Sequence, residues 1–487
     1  MARALGAGGY GDFNFLLASF AAFLPLLDAG TSSAFFTFLA RAPRGPRFFI
    51  VYGAWLSVQA IVPAVLIAFV LPDRLVANVW LKQPREAVLL AFASVFLTTQ
   101  LWGAVSRMGE ARRLTVRVQI ASVAQAVIHL ALVSIAAATG WLTVRRTIVL
   151  LTLEFGALCL SMGPRLLKES LPEGPATQSL REIVVEFWRY SRPLVVYSWV
   201  GVPYAFADRW MLQAFAGSAQ QGYFSLGAQF ASVSLLATTS ILSVFWKEIA
   251  DAKERGDSAR IHMLHGRVTR SLYFAAAWLS SALIPYTAEI LRWTVGPGYE
   301  AATVAFALLL LYPVHQSLGQ IQGTFLYASE DTRTFASIGI VMMLVSIPSA
   351  YFLLAPHTTS VPGLGLGAVG LALKMVALQF VAVNVQGWFI ARKNGWTTDF
   401  TYQALTLGCL LAFSWSLRSG IGALLRAILG DAPPLGVVIL GTTTFLVVSV
   451  AVLMKWPTVA GVPRDELERW WTAGRMRLAG GSFRERR

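Results

Sequence analysis

Apolar stretches long enough to cross a membrane follow one another along nearly the whole chain. A helix of ~20 apolar residues spans the ~30 Å hydrocarbon core of a bilayer, so each stretch is a transmembrane candidate. Thirteen can be read, at roughly 11–39, 48–71, 87–106, 114–138, 147–166, 192–214, 222–246, 269–291, 301–327, 335–354, 364–391, 401–417 and 435–454. The longest linker, 167–191, is too short to hold a folded domain. At 56% hydrophobic and 13% charged, the chain carries about half the charge that a water-soluble surface needs. An all-α polytopic membrane protein is implied.

A net charge of +15 would suggest nucleic acid in a soluble protein. Here the charges alternate by loop. One set of loops, running from Arg41, Arg44 and Arg47 to the eight basic residues from Lys455 onward, holds 29 Lys and Arg. The opposite set, which includes Arg74, Arg85 and Arg292, holds nine. The positive-inside rule places the richer side in the cytoplasm. The basicity is topological, and nucleic acid is not expected as a partner. Cys159 and Cys409 both fall inside spans and argue for neither a disulfide nor a metal site. No cofactor is implied.

Gln100-Leu-Trp-Gly103 through Glu110 to Arg113 returns, at an offset of 220, as Gln320-Ile-Gln-Gly323 through Glu330 to Arg333. Both copies lie where an apolar span runs out into a charged turn. Two parallel halves in a membrane chain point to a transporter. At an offset of 211, Gly6, Gly11 and Phe13 align with Gly217, Gly222 and Phe224. In the second half those residues follow a complete span, 192–214. The first half begins where its matching span should be ending. The same charge count leaves the N-terminus external, with no signal peptide ahead of the first span. The expectation is a helix missing upstream through a start codon placed too late; a natural thirteen-span protein is the alternative.

The expected plan is two six-helix lobes, the first lacking its first helix, plus two appended helices. That gives an N-terminal lobe at 1–168, a linker at 169–191, a C-terminal lobe at 192–393, extra helices within 394–455 and a basic cytoplasmic tail at 456–487. In the linker, Ser179-Leu-Arg-Glu182 has the form of a capping box. It opens a segment with Leu180, Ile183, Val184 and Phe187 on one face, expected to lie along the cytoplasmic membrane surface. In the tail, Leu467, Trp470, Trp471 and Leu478 suit a second interfacial helix.

Two groups of residues carry a family resemblance. Ala4-Leu-Gly-Ala-Gly-Gly-Tyr10-Gly-Asp-Phe13, followed by Leu27-Asp28-Ala-Gly30, resembles the opening of bacterial polysaccharide flippases. Asp208-Arg209, then Gly222-Tyr223-Phe224 and Ser243-Val-Phe245, is similar to their second-half entry. These proteins, with the O-antigen flippases nearest, belong to the multidrug/oligosaccharidyl-lipid/polysaccharide exporter superfamily. The resemblance covers nearly the whole chain and departs at the N-terminus. It implies two lobes around a central cavity in a bacterial cytoplasmic membrane, moving polyprenyl-diphosphate-linked oligosaccharide outward for O-antigen, capsule or exopolysaccharide. The partners it implies are that lipid-linked oligosaccharide, membrane lipids and the polysaccharide polymerase machinery.

Polar side chains in mid-membrane are costly unless they face a partner or a wet cavity, so they are the candidate site residues. Tyr312, His315, Gln316, Gly319, Gln320, Gly323 and Tyr327 share one helical face, with His315 near the midplane. The stripe reads as a sugar-lined lumen or as interhelical packing. Thr99, Gln100, Gly103 and Arg107 form the thinner equivalent. Tyr197, Gly201, Tyr204 and Asp208 share a face, with Arg209 adjoining, as a gating or substrate group or an interfacial ion pair. Glu154 and Lys374 are equivalent at the 220 offset. Lys374 would hold a diphosphate and Glu154 would be a proton site or counter-ion; the alternative is a structural salt bridge. Asp28 either binds a coupling cation or bonds to a neighbouring helix.

Other function classes fit less well. A multidrug antiporter of the same superfamily would favour a mainly acidic cavity, whereas Lys374 and Arg209 offset the carboxylates here. A lipid II flippase is poorly separated by sequence. A glycosyltransferase or polymerase would want a large external loop, and no phosphate loop, metal cluster or nucleophile triad appears. The chain reads as a transporter and not as an enzyme.

Overall fold

The computed structural model describes residues 1–171 and 178–462. The amphipathic segment expected at 464–478, and the side chain of Tyr197, lie outside what is described. Helices account for almost all of it, with no strand among the described residues.

The chain opens with α1 (Ala2–Asp28), α2 (Thr31–Arg41), α3 (Pro46–Val65), α4 (Asp73–Val79), α5 (Arg85–Val95), α6 (Trp102–Ala111), α7 (Thr115–Ala138), α8 (Val144–Ser170) and α9 (Leu180–Ala216). There follow α10 (Ser218–Glu254), α11 (Ser258–Leu283), α12 (Thr287–Thr294), α13 (Thr303–Ala328), α14 (Thr332–Leu354), α15 (Gly367–Asn394), α16 (Phe400–Leu429) and α17 (Pro434–Lys455). Eleven helices among the described residues are long and apolar enough to cross a membrane. The eleven do not include α9 and α10, which cover the expected spans 192–214 and 222–246. Charge dilutes the apolar character of α9, which carries Glu182, Glu186, Arg189, Arg192, Asp208 and Arg209.

Local chemistry explains the starts and stops. Thr143 accepts from the Arg146 N–H at 3.3 Å to begin α8, and Asp257 accepts from the Arg260 N–H at 2.9 Å to begin α11. The capping box forms: Ser179 Oγ accepts from the Glu182 N–H, and the Glu182 carboxylate accepts from the Ser179 N–H. The span expected at 11–39 is broken in two. Ala29 and Gly30 turn left-handed (φ 49° and 79°), separating α1 from α2.

Two compact units divide the chain: Met1–Ser225 with Met343–Leu371, and Leu226–Met342 with Ala372–Arg487. In the first, α9 packs against α1, α2 and α3. It runs without a break from Leu180, so the segment expected to lie flat on the membrane is the start of a 37-residue helix. At 1.5 Å per residue that is ~55 Å, longer than a bilayer with its headgroups. Its apolar face divides accordingly. Ile183 and Phe187 are buried, Phe187 packing on Phe38, Phe48 and Tyr52, while Leu180 and Val184 are exposed.

The alignment at offset 211 is also a contact. Gly6 (φ 67°, ψ 171°) and Gly217 (φ 84°, ψ 174°) share a backbone conformation open essentially to glycine alone. Five residues further on, Gly11 lies against Ser218 and Gly222, and Gly222 against Ala7 and Gly11. The offset-220 likeness is less exact. In the structure α6 and α13 end alike, each with a left-handed residue at φ 62°, but these are Arg113 and Glu330, which are 217 positions apart. The sequence match is thus almost one helical turn out of step with the helix ends. A π-helical turn at Phe96–Leu101 interrupts the first copy and has no counterpart within α13.

In the second unit α11 packs on α13, with Ser280 Oγ donating to the Leu310 carbonyl at 2.6 Å. The two extra helices pack on the same core. Trp278 Nε1 donates to Ser449 Oγ of α17 at 2.6 Å, and the Arg418 guanidinium of α16 grips Glu289 with two hydrogen bonds (3.0 and 2.6 Å).

Candidate functional site

The polar stripe of α13 lies within the second unit. Tyr312 donates from its hydroxyl to Gln316 Oε1 at 3.2 Å. His315 is 6% exposed, its ring edge-on to Phe380 at 5.2 Å, and its Nδ1 has no hydrogen-bond partner. The glycines of the stripe are filled. A Cβ on Gly319 would lie 2.6 Å from the Gln379 amide nitrogen, and one on Gly323 would lie 3.1 Å from the Phe335 ring. Both serve close helix packing in this structure and do not border open space. Gln320 is half-buried beside them. Tyr327 at the stripe's end is exposed and stacks on Trp246 at 5.9 Å. Lys374, on α15, is 3% exposed.

The other candidates lie in the first unit. Glu154 Oε2 accepts from Gln125 Nε2 at 3.1 Å and pairs with His129 Nδ1 at 2.9 Å, both from α7. Its side chain is only 5% exposed. This carboxylate therefore has partners on the neighbouring helix of its own unit. Gln125 and His129 were absent from the sequence reading, yet their i, i+4 spacing inside an apolar span was a readable signal. Gln100, in the π-helical turn, is 6% exposed. Tyr204 and Asp208 are half-buried on α9.

Arg209 is half-buried and packed on α10. Its guanidinium lies 4.6 Å over the Phe224 ring and donates to Ser225 Oγ at 3.1 Å. One turn beyond, Asp12 Oδ1 accepts from Gln213 Nε2 (2.8 Å) and Ser218 Oγ (2.6 Å), which knits α1, α9 and α10 together. Asp12 was not singled out from the sequence, where it stands in a motif quoted only for likeness.

Asp28 serves the helix that follows it. Its Oδ1 accepts from Thr31 Oγ1 and the Ser32 N–H, each at 2.9 Å, and its Oδ2 accepts from Ser32 Oγ at 2.8 Å. The carboxylate thus satisfies the open N-terminus of α2. Arg107 and Asp28 both lie within electrostatic reach of the Tyr52 hydroxyl. Beside this group an apolar groove of about 740 Å³ runs between α3 and the start of α9, lined by Leu26, Val51, Trp55, Val62, Phe187 and Trp188. Gln59 projects into it, 2% exposed, with neither amide atom partnered.

At the basic ends several charges are paired with carboxylates. Arg44 binds Glu186 with two hydrogen bonds at 3.0 and 2.9 Å, and Lys393 donates to Asp331 at 2.8 Å. That bond, with the Thr334 hydroxyl and N–H, holds the Asp331 carboxyl below its ordinary pKa against the opposing effect of burial. No cluster of metal-ligating side chains occurs among the described residues.

No protein-family profile and no curated protein matches this sequence. Solved structures do. A lipid II flippase, MurJ, in an inward closed conformation superposes with a TM-score of 0.62 at 13% identity, covering 92% of this chain and 97% of that one. An inward-facing multidrug resistance MATE family transporter of the MOP superfamily gives a TM-score of 0.64 at 14% identity, over 81% of this chain and 92% of that one. Its outward-facing counterpart gives 0.53 at 15% identity, over 79% and 86%. The chain is a polytopic helical membrane protein with the fold of these transporters.

Proposed function

We propose that this protein is a flippase that carries polyprenyl-diphosphate-linked oligosaccharide across a bacterial cytoplasmic membrane by alternating access, for O-antigen, capsule or exopolysaccharide synthesis. The observation that carries the reading is the extent of the likeness to a lipid flippase, 92% of this chain against 81% for the multidrug transporter. The apolar groove beside α3 supports it, because a prenyl chain would find there a wall without charge. In this reading Lys374 and Arg209 hold the diphosphate by charge. Tyr312, His315, Gln316, Gln320, Gln100, Tyr204 and Asp208 meet the sugar hydroxyls, and Glu154, hydrogen-bonded to His129, is the proton site or counter-ion. Asp28 already has three donors, so ion coupling is assigned to Glu154 first.

Lipid II transport is the nearest second reading, favoured by the same superposition. Deleting the gene in its native host discriminates. The proposal expects lipid-linked oligosaccharide to accumulate on the inner leaflet while peptidoglycan synthesis continues. Accumulation of lipid II would instead assign the second reading. Normal surface polysaccharide with no accumulated intermediate would refute both.

A further inference from the structure

At the basic end of the second unit, α11, α13, α15 and the turn before α16 enclose a cavity of about 510 Å³. That volume is in the range of small-molecule sites. None of the candidate substrate residues lines it. Four polar atoms of its wall are buried with no hydrogen-bond partner: His265 Nε2, Thr269 Oγ1, Gln322 Oε1 and Gln403 Oε1. Thr269, Gln322 and Gln403 are 7%, 4% and 7% exposed. Buried polar groups are nearly always paired, so four unpaired in one wall require an explanation.

The backbone that carries Gln403 is fixed, and Gln322 lies close against α15. The Gln403 carbonyl accepts from the Tyr273 hydroxyl at 3.0 Å, and its N–H donates to the Asp399 carbonyl at 3.0 Å. A Cβ added at Gly387 would lie 2.8 Å from the Gln322 amide nitrogen, so a larger residue there would press on that amide. Trp396 forms a second wall. Its ring is packed by His262 (4.7 Å), His265 (5.4 Å) and Phe325 (5.8 Å).

The chemistry of this lining narrows the ligand. Arg270, at the rim, gives both hydrogen bonds to Asp399 (2.9 and 2.7 Å), so its charge is already compensated. Two amide oxygens in this wall can only accept hydrogen bonds, which disfavours an anion. They call instead for a neutral ligand with several O–H donors, and an aromatic ring beside them receives the C–H face of a pyranose. We infer that this cavity binds a polyhydroxylated ring of one or two sugar units, entering from the basic end of the chain. The site is independent of the transport proposal. Its sugar is either free in solution or the head of a lipid-linked glycan.

Purified protein in lipid nanodiscs, free of sugar detergents, tests this. The probes are tritiated glucose, galactose, mannose and N-acetylglucosamine, each supplied free and as its farnesyl-diphosphate conjugate. The variants are Gln403→Leu, Gln322→Leu and Thr269→Val, which keep approximate shape and remove the unpaired atoms. Saturable binding of a free sugar, weakened at least ~10-fold by each variant, identifies a soluble ligand. Binding of the conjugate alone, weakened in the same way, identifies the lipid-linked source. Because an atom without a partner costs stability, the unliganded variants should melt at or above the wild-type temperature. Variants that melt lower would show that these atoms are paired and would overturn the site. So would the absence of saturable binding in both forms, or binding that the variants leave unchanged.

Discussion

Gly11 and Gly222 cross backbone to backbone as mutual equivalents. A Cβ on Gly11 would strike the Ser218 carbonyl and lie 2.9 Å from the Gly222 nitrogen. A Cβ on Gly222 would strike the Ala7 carbonyl and lie 3.2 Å from the Gly11 nitrogen. Residues 211 positions apart thus make reciprocal contacts.

Gly11→Ala and Gly222→Ala should each lower stability by at least ~1–3 kcal/mol, the usual cost of overpacking, because the obstacle is backbone and cannot rotate away. Gly8→Ala is the internal control, since nothing lies within 4 Å of its added carbon. Thermal unfolding in micelles measures all three. Equal melting of Gly11→Ala and Gly8→Ala would contradict the crossing.

The Glu154–His129 pair should show coupling. His129→Ala leaves a nearly buried carboxylate with Gln125 alone and should cost ~1–3 kcal/mol. Glu154→Gln should cost less, because an amide still reaches His129. A double-mutant cycle by thermal melting reads the interaction, and additive effects would refute it.

Stability should depend on Asp331 in acid. Its carboxyl titrates below the ordinary value because Lys393 donates to it. A depressed carboxylate stabilises the fold at pH values above its unfolded pKa of ~4, and the contribution is lost as pH falls through the folded value. Asp331→Asn should therefore melt below wild type at pH 7, with the gap closing below pH ~4. A gap that persists unchanged at pH 3 would be inconsistent with this.

Lys374 is the sharpest single residue of the transport proposal. Lys374→Met should cut transport at least ~10-fold at normal protein levels, and Lys374→Arg should retain part of it. Transport at the wild-type rate in Lys374→Met would remove Lys374 from the substrate site.

The span pattern was legible because period and length are local properties. Ten expected spans coincide with helices that can cross a membrane, 11–39 overlaps another in part, and Ser179 with Glu182 forms the cap its spacing announced. The glycine equivalence at offset 211 was legible too, since Gly6 and Gly217 both need a conformation that other residues avoid. Relations between helices were not. That Gln379 and Phe335 fill the space beside Gly319 and Gly323 depends on neighbours no single span reveals. For Asp28, bonding to a neighbouring helix was one of the two readings, but that this helix is the next in the chain follows from the break at Ala29 and Gly30, which no single span reveals. The cavity around Gln403 draws on four separate stretches of chain, each unremarkable alone.

The central claim is transport of a lipid-linked glycan, and reconstitution tests it most directly. Purified protein in sealed liposomes, loaded with polyprenyl-diphosphate-linked oligosaccharide labelled on the sugar, is exposed to a membrane-impermeant glycosidase. In protein-free vesicles only the outer-leaflet half should be cleaved. With the protein present the protected half should become accessible within minutes, and Lys374→Met should slow this. Protection as complete as in protein-free vesicles, with correctly inserted protein and an imposed ion gradient of either sign, would contradict the account.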